Sequence, residues 1–83
     1  MIEIKFLKNE NKVIAYDDKK KIGECEFIVM NNIWNIVHTQ VDKEYQGQKI
    51  ARNLVELVVE KAKENNKEII AECSYAKKII NKN

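Results

Sequence analysis

The sequence predicts a small α+β domain. Three patterns predict it: apolar residues that alternate along the first half, a helical period entered at Gly47, and a short apolar run just before Ser74. Ile2, Ile4 and Phe6 alternate with Glu3 and Lys5, the period of two expected of a half-buried strand. Asn9, Glu10 and Asn11 supply turn chemistry, and residues 13–16 form a second short strand. Asp17, Asp18 and the lysines after them make the next turn.

A third strand spans 22–30, with Cys25, Phe27 and Val29 set against Glu24 and Glu26, and Asn31-Asn32 closes a tight turn after it. Residues 33–41 form the fourth. Trp34, Ile36 and His38 fall on one face and Ile33, Val37, Thr39 and Val41 on the other, so this strand is expected to be central and covered on both sides. Beyond Gly47 the period changes. Ile50, Ala51, Leu54, Val55, Leu57, Val58 and Ala62 recur at steps of three and four, a long amphipathic helix that ends near Asn65-Asn66.

Ile69, Ile70 and Ala71 read as a buried strand, and Ser74 is placed to cap a short final helix carrying Ala76, Ile79 and Ile80. The strand-helix-strand unit over 33–73 permits a right-handed parallel crossover, which would make the sheet mixed: antiparallel strands first, a parallel one last. No repeat or linker divides residues 1–83, so one domain is expected.

Composition narrows the function classes. With 45% apolar and 34% charged residues the chain is globular, not disordered. Fifteen basic against 13 acidic residues leave a net charge of +2, which argues against a nucleic-acid binder. Cys25 and Cys73 lack CxxC spacing, so neither a zinc site nor a disulfide framework is suggested, and no metal is expected. No stretch approaches the roughly 18 apolar residues of a membrane span, and the N-terminus lacks a signal-peptide core. A cytoplasmic setting, bacterial by the excess of Lys, Asn and Ile, is the expectation.

The informative segment is the polar loop 42–49 between the fourth strand and the long helix. The first N–H groups of a helix have no internal partners and carry partial positive charge, so this end can hold a phosphate, and Gly47 lets a ligand approach the backbone. A single glycine is equally compatible with a plain bend. Three separated motifs add to it: His38-Thr39-Gln40-Val41, then Gln46-Gly47-Gln48-Lys49-Ile50-Ala51 followed by Leu54-Val55, then Cys73-Ser74-Tyr75. Their order and spacing over the second half of the chain resemble the compact GCN5-related N-acetyltransferase-like family.

That resemblance implies a small mixed sheet of that family's type and acetyl-CoA or coenzyme A as ligand. The loop and helix start, Gln46, Gly47, Gln48, Lys49, Ile50 and Ala51, would take the pyrophosphate, and Thr39, Gln40 and Val41 would line the pantetheine arm. Three positions depart from the family's pattern, Glu44, Lys49 and Ala71, the last standing two residues before Cys73 where the family usually carries a proline. Glu44 stands where a cation or amide is usual and would repel phosphate. Lys49 stands where a second small residue belongs and would either crowd the phosphate or pair with it. The chain ends at Asn83, short of the family's usual tail, which is expected to expose the acyl end.

Cys73 and His38 are the candidate catalytic residues. Cys73 lies at a strand-to-helix junction, where a helix dipole lowers a thiol pKa, and could carry the acetyl group; an inert structural thiol is the alternative. His38, the only histidine, suits a general base, or else a structural imidazole bonded to the backbone. Tyr75 could protonate the departing thiolate. Cys25 and Trp34 read as core, Tyr45 as a shield for the pyrophosphate or a plain cover for the loop, and Lys19-Lys20-Lys21 as a solvated turn, with contact to an anionic partner as the alternative. The expected activity is acetyl transfer to an amine of a small molecule or peptide, with a CoA-binding module lacking transferase activity as the alternative.

Overall fold

The computed structural model describes residues 1–81. Four strands run in succession: β1 (Ile2–Leu7), β2 (Lys12–Asp17), β3 (Lys20–Met30) and β4 (Ile33–Val41). Then come α1 (Ile50–Glu64), β5 (Glu68–Ala71) and α2 (Ser74–Asn81). The tight turns are made by residues that tolerate left-handed backbone. Asn11, Asp18, Asn31 and Asn66 have φ of 55°, 57°, 53° and 57°, where a short polar side chain costs least after glycine.

The sheet order is β1-β2-β3-β4-β5, antiparallel through β4, with β5 parallel to β4. This is the mixed α+β architecture the sequence predicts. α1 lies across one face of the sheet in contact with all five strands, and α2 packs beside it against β4 and β5. Leu54, Val55, Val58 and Ala62 of α1 are fully buried against Val13, Cys25 and Ile36 of the sheet. Each large apolar side chain so buried contributes about 1.5–3 kcal/mol. Phe27 and Trp34 stack at 4.5 Å, with Phe6 at 6.1 Å from each, and close the far end of the core.

Two sequence expectations fail on β4, and a bulge accounts for the first. Ile36 pairs with Phe27 but His38 pairs with Glu26, so Val37 is an extra residue without a partner in β3. A bulge of this kind reverses the alternation of faces beyond it. Trp34 and Ile36 therefore share the core face with Thr39, and His38 does not stand beside Trp34; it is exposed on the other face. Nor is β4 covered twice. On the face away from the helices Ile28, Asn35 and Ile70 are direct neighbours across β3, β4 and β5, and Ile28 and Ile70 are 49% and 43% exposed.

Asn35, with the short polar side chain least expected in a central strand, is 5% exposed. Its Oδ1 accepts from the Glu72 N–H at 3.1 Å, while the Glu72 and Cys73 N–H groups both donate to the Ile36 carbonyl. A buried amide is stable only when bonded, and here the bonds pin the bend that ends β5 and begins α2.

Candidate functional site

β5 pairs with β4 only over Ile33 to Ile36, and the chain then turns away into α2. The outer edge of β4 beyond the bulge is thus left without a strand beside it. A cleft of about 630 Å³ opens there. Thr39, Gln40 and Val41 form its strand wall, Gln46, Gly47 and Lys49 its loop wall, and Ile50 and Ala51 the start of α1. Of the nine residues the sequence assigns to a cofactor, Gln48 alone does not line this space. Tyr45 and Tyr75 complete it.

The loop is shaped by its backbone. The Asp42 N–H donates to the Ile22 carbonyl at 2.7 Å, which ties the loop's entry to β3, and residues Lys43–Tyr45 make one 3₁₀ turn. Gly47 has φ of 86° and Lys49 φ of 63°, whereas Gln48 between them does not have positive φ. Alternation of this kind turns successive N–H groups toward a common point and forms a concavity for an anion. Lys49 is the residue before α1, and among the described residues no side chain caps the helix there. The N–H groups of Ile50 and its neighbours are therefore available to a ligand, with the helix dipole behind them.

Added to Gly47, a Cβ atom would meet nothing within 4 Å. The glycine is there for its backbone angle and for close approach, not because the fold lacks room. Lys49 holds a left-handed conformation at a cost of about 1 kcal/mol. Lys49→Gly is accordingly expected to raise the thermal midpoint by about 4–8 °C in scanning calorimetry; a lowered midpoint would show that the lysine side chain stabilises the loop.

Cys73 sits where β5 gives way to α2. Its carbonyl accepts from the Lys77 N–H at 2.9 Å, so Cys73 occupies the capping position of the helix. Burial by itself would push its thiol up, but the Ala76 N–H, the Thr39 hydroxyl and the Tyr75 and Thr39 N–H groups reach the sulfur and hold it below the ordinary thiol range. Cys73 is half-buried beside two residues of the cleft, Thr39 and Tyr75. Thr39 also donates to Cys25 Sγ at 3.5 Å, but Cys25 is fully buried and burial raises its pKa to about 11. The two cysteines thus differ sharply in readiness to ionise.

His38 is not part of the cleft wall. Its Nε2 lies 3.2 Å from Gln40 Oε1, and Gln40 does line the cleft. On that open face Glu24, Glu26 and His38 bring one ligand atom each within 4.8 Å of one another, with Lys21 paired to Glu24. The structure therefore places Cys73 beside Thr39 of the strand wall and sets His38 on the far side of β4.

Sequence reasoning also missed the support of Tyr45. Its hydroxyl donates to Asp17 Oδ2 at 2.6 Å, across 28 residues of sequence. That bond from Tyr45 lowers the Asp17 pKa and raises the phenol to about 12. Beside it Lys20 Nζ lies 3.9 Å from Glu44 and 5.9 Å from the centre of the Tyr45 ring. The lysines of the hairpin turn were read as solvated, and no local pattern marks a side chain that meets a loop over 20 residues away.

Comparison with known proteins is consistent with this geometry. The family model described as GCN5-related N-acetyl-transferase matches residues 12–83. The solution NMR structure of a GCN5-like protein from Staphylococcus aureus is 44% identical, with 96% of this chain and 78% of that one covered at a TM-score of 0.74. PaiA N-acetyltransferase from Thermoplasma acidophilum, solved in complex with coenzyme A, shares the fold at 22% identity and a TM-score of 0.62, with 65% of this chain and 34% of that one covered. The ribosomal-protein-S18-alanine N-acetyltransferase from Escherichia coli does so at 14% identity and a TM-score of 0.73, with coverage of 86% and 49%. No curated protein matches the sequence. Among the described residues no helix is long and apolar enough to cross a membrane.

Proposed function

Because the chain belongs to the GCN5-related N-acetyltransferase family, we propose that it binds acetyl-CoA in the cleft between β4 and α1 and transfers the acetyl group to a primary amine of a small molecule or peptide. The pyrophosphate sits on the N–H groups of residues 47–51. The pantetheine arm runs along Thr39, Gln40 and Val41. The observation that carries this reading is the unpaired edge of β4, which forms one wall of a cleft with the uncapped start of α1 at one end and Cys73 beside Thr39. An extended amide chain can bond to such an edge as a missing strand would, and Val41, Ile50, Ala51 and the two tyrosines offer apolar walls for its methylenes. PaiA, which shares the fold, was solved holding coenzyme A.

In this reading Cys73 is the nucleophile. Its thiolate attacks the thioester carbonyl and forms a new C–S bond, the bond to the CoA sulfur breaks, and CoA leaves as a thiolate that takes a proton from Tyr75 or water. The acceptor amine then attacks acetyl-Cys73, loses a proton to a base and restores the thiolate. Water is that base, because His38 lies on the opposite face of β4 from Thr39 and outside the cleft wall. A CoA-binding module without transferase activity is the second reading, favoured by the position of His38 outside the cleft wall.

Calorimetric titration with acetyl-CoA and with CoA tests the site. Saturable binding is expected in the wild-type protein and a loss of at least about tenfold, some 1.4 kcal/mol, in Gly47→Glu, whose carboxylate opposes phosphate at the helix start. Absence of binding up to about millimolar ligand in folded wild-type protein, near 4 kcal/mol of affinity, would sink the reading.

A further inference from the structure

The tip of the β2–β3 hairpin is far from the cleft in sequence and adjacent to it in space. Tyr45, a wall of the cleft, is fixed from behind by Asp17, the last residue of β2. Lys20, the first residue of β3 and the cross-strand partner of Asp17, lies over the same tyrosine ring. From there it reaches Glu44, the one carboxylate within the 3₁₀ turn Lys43–Tyr45. A phosphate-bearing ligand entering past Tyr45 therefore meets both a carboxylate and the lysine that offsets it.

Lys20 is free to answer such a ligand. Its pair with Glu44 is at 3.9 Å, with the two side chains 60% and 79% exposed, and a pair of that kind is worth at most about 1 kcal/mol. A phosphate dianion at the cleft mouth competes for the ammonium with more charge than one carboxylate. Coenzyme A carries phosphate in two places, a pyrophosphate and a separate 3′-phosphate on the ribose. The N–H groups of residues 47–51 account for the first. Lys20 lies over the Tyr45 ring at 5.9 Å from its centre, whereas on the same hairpin Lys19 is exposed and Lys21 is paired with Glu24.

We propose that the hairpin tip is part of the ligand site: Lys20 is a specificity-determining cation for the 3′-phosphate of coenzyme A, and Asp17 is a positioning residue that acts through Tyr45. The proposal rests on the reading of the cleft as a CoA site. It explains how a loop that carries Glu44 can still accept an anionic ligand, because Lys20 offsets that carboxylate beside the loop's own Lys43 and Lys49.

The test compares CoA with dephospho-CoA, which lacks that phosphate, by calorimetry at low salt. Lys20→Met and Lys20→Gln are expected to weaken CoA about three- to fivefold and leave dephospho-CoA within about twofold, since an exposed charge contact is worth on the order of 1 kcal/mol. Glu44→Gln is expected to strengthen CoA. Asp17→Ala and Tyr45→Phe should weaken both ligands in parallel, and their combination should cost no more than either alone, the mark of two residues acting as one unit. Equal losses for both ligands in the Lys20 variants would overturn the assignment of Lys20. Additive losses for Asp17 and Tyr45 would overturn the positioning role. A wild-type protein that binds neither ligand overturns the CoA reading itself, and one that binds both equally well overturns this inference alone.

Discussion

Incubated with acetyl-CoA and no acceptor, the wild-type protein is expected to gain one acetyl group, on Cys73, and the Cys73→Ser protein none. Cys25→Ala should still be acetylated. The selectivity follows from the two environments. Cys25 has no exposed surface, and burial raises its pKa to about 11, so at neutral pH it is almost wholly thiol. Cys73 is also penalised by burial, but the N–H groups at the start of α2 and the Thr39 hydroxyl and N–H outweigh that penalty and hold its pKa below the ordinary range. The thiolate is the nucleophile, so the faster-reacting sulfur is the one that ionises more readily.

The sign of the pH dependence follows. Protonation of Cys73 removes the nucleophile, so the rate of acetylation should climb with pH up to the Cys73 pKa and level off above it. Because that pKa is lowered, the plateau should begin at a lower pH than for a free thiol. Rapid-quench mass spectrometry across pH measures this directly. A rate still rising steeply above pH ~9, beyond the ordinary thiol range, would mean that Cys73 is not activated. Binding of acetyl-CoA with no acetylation at any pH would leave direct attack of the amine on the thioester or a CoA-binding module, which an assay with amine acceptors separates.

The same contrast shows how far the sequence could be read. The long helix, the mixed sheet and the loop at Gly47 were legible because each rests on a local pattern: a period, a turn residue, a glycine at a helix entrance. The face of His38 was not. Strand parity assigns faces by counting residues, and one unpaired residue, Val37, reverses every assignment beyond it. Nothing in the identity of Val37 announces a bulge; the pairing with β3 creates it. Asn35 was passed over for a related reason. A polar residue in an apolar strand reads as a flaw until the Glu72 N–H, 37 residues away, is seen to need its oxygen.

The cleft itself was half legible. Residues that line the cleft from consecutive chain, 39–41, 46, 47 and 49–51, could be assigned from motif and helix-end physics. Residues that support them from elsewhere, Asp17 and Lys20, could not, because their partners Tyr45 and Glu44 are joined to them only through the fold.

Leu54→Ala is expected to be the most damaging single substitution in the core, and it bears on function as well as stability. Leu54 has no exposed surface and lies one turn into α1 after Ile50, directly beneath the N–H groups that face the cleft. Its Cδ1 would be 3.5 Å, an ordinary contact distance, from a Cβ placed on Gly23, so the leucine packs against β3 at that glycine. Truncation there loses about 2–5 kcal/mol through transfer and cavity terms. A chain of 83 residues has a total margin of only about 4–12 kcal/mol, so the thermal midpoint should fall by at least about 10 °C.

Leu57, partly buried on the flank of the same helix, is the control: Leu57→Ala should cost clearly less. Equal costs would mean that α1 does not turn Leu54 toward the sheet. Because only the folded state holds the ligand, saturating acetyl-CoA should restore part of the lost midpoint, by about 2.7 kcal/mol at a hundredfold excess over Kd. Rescue in Leu54→Ala without rescue in Leu54→Ala/Gly47→Glu would tie the packing of α1 on β3 to the anion site at its end.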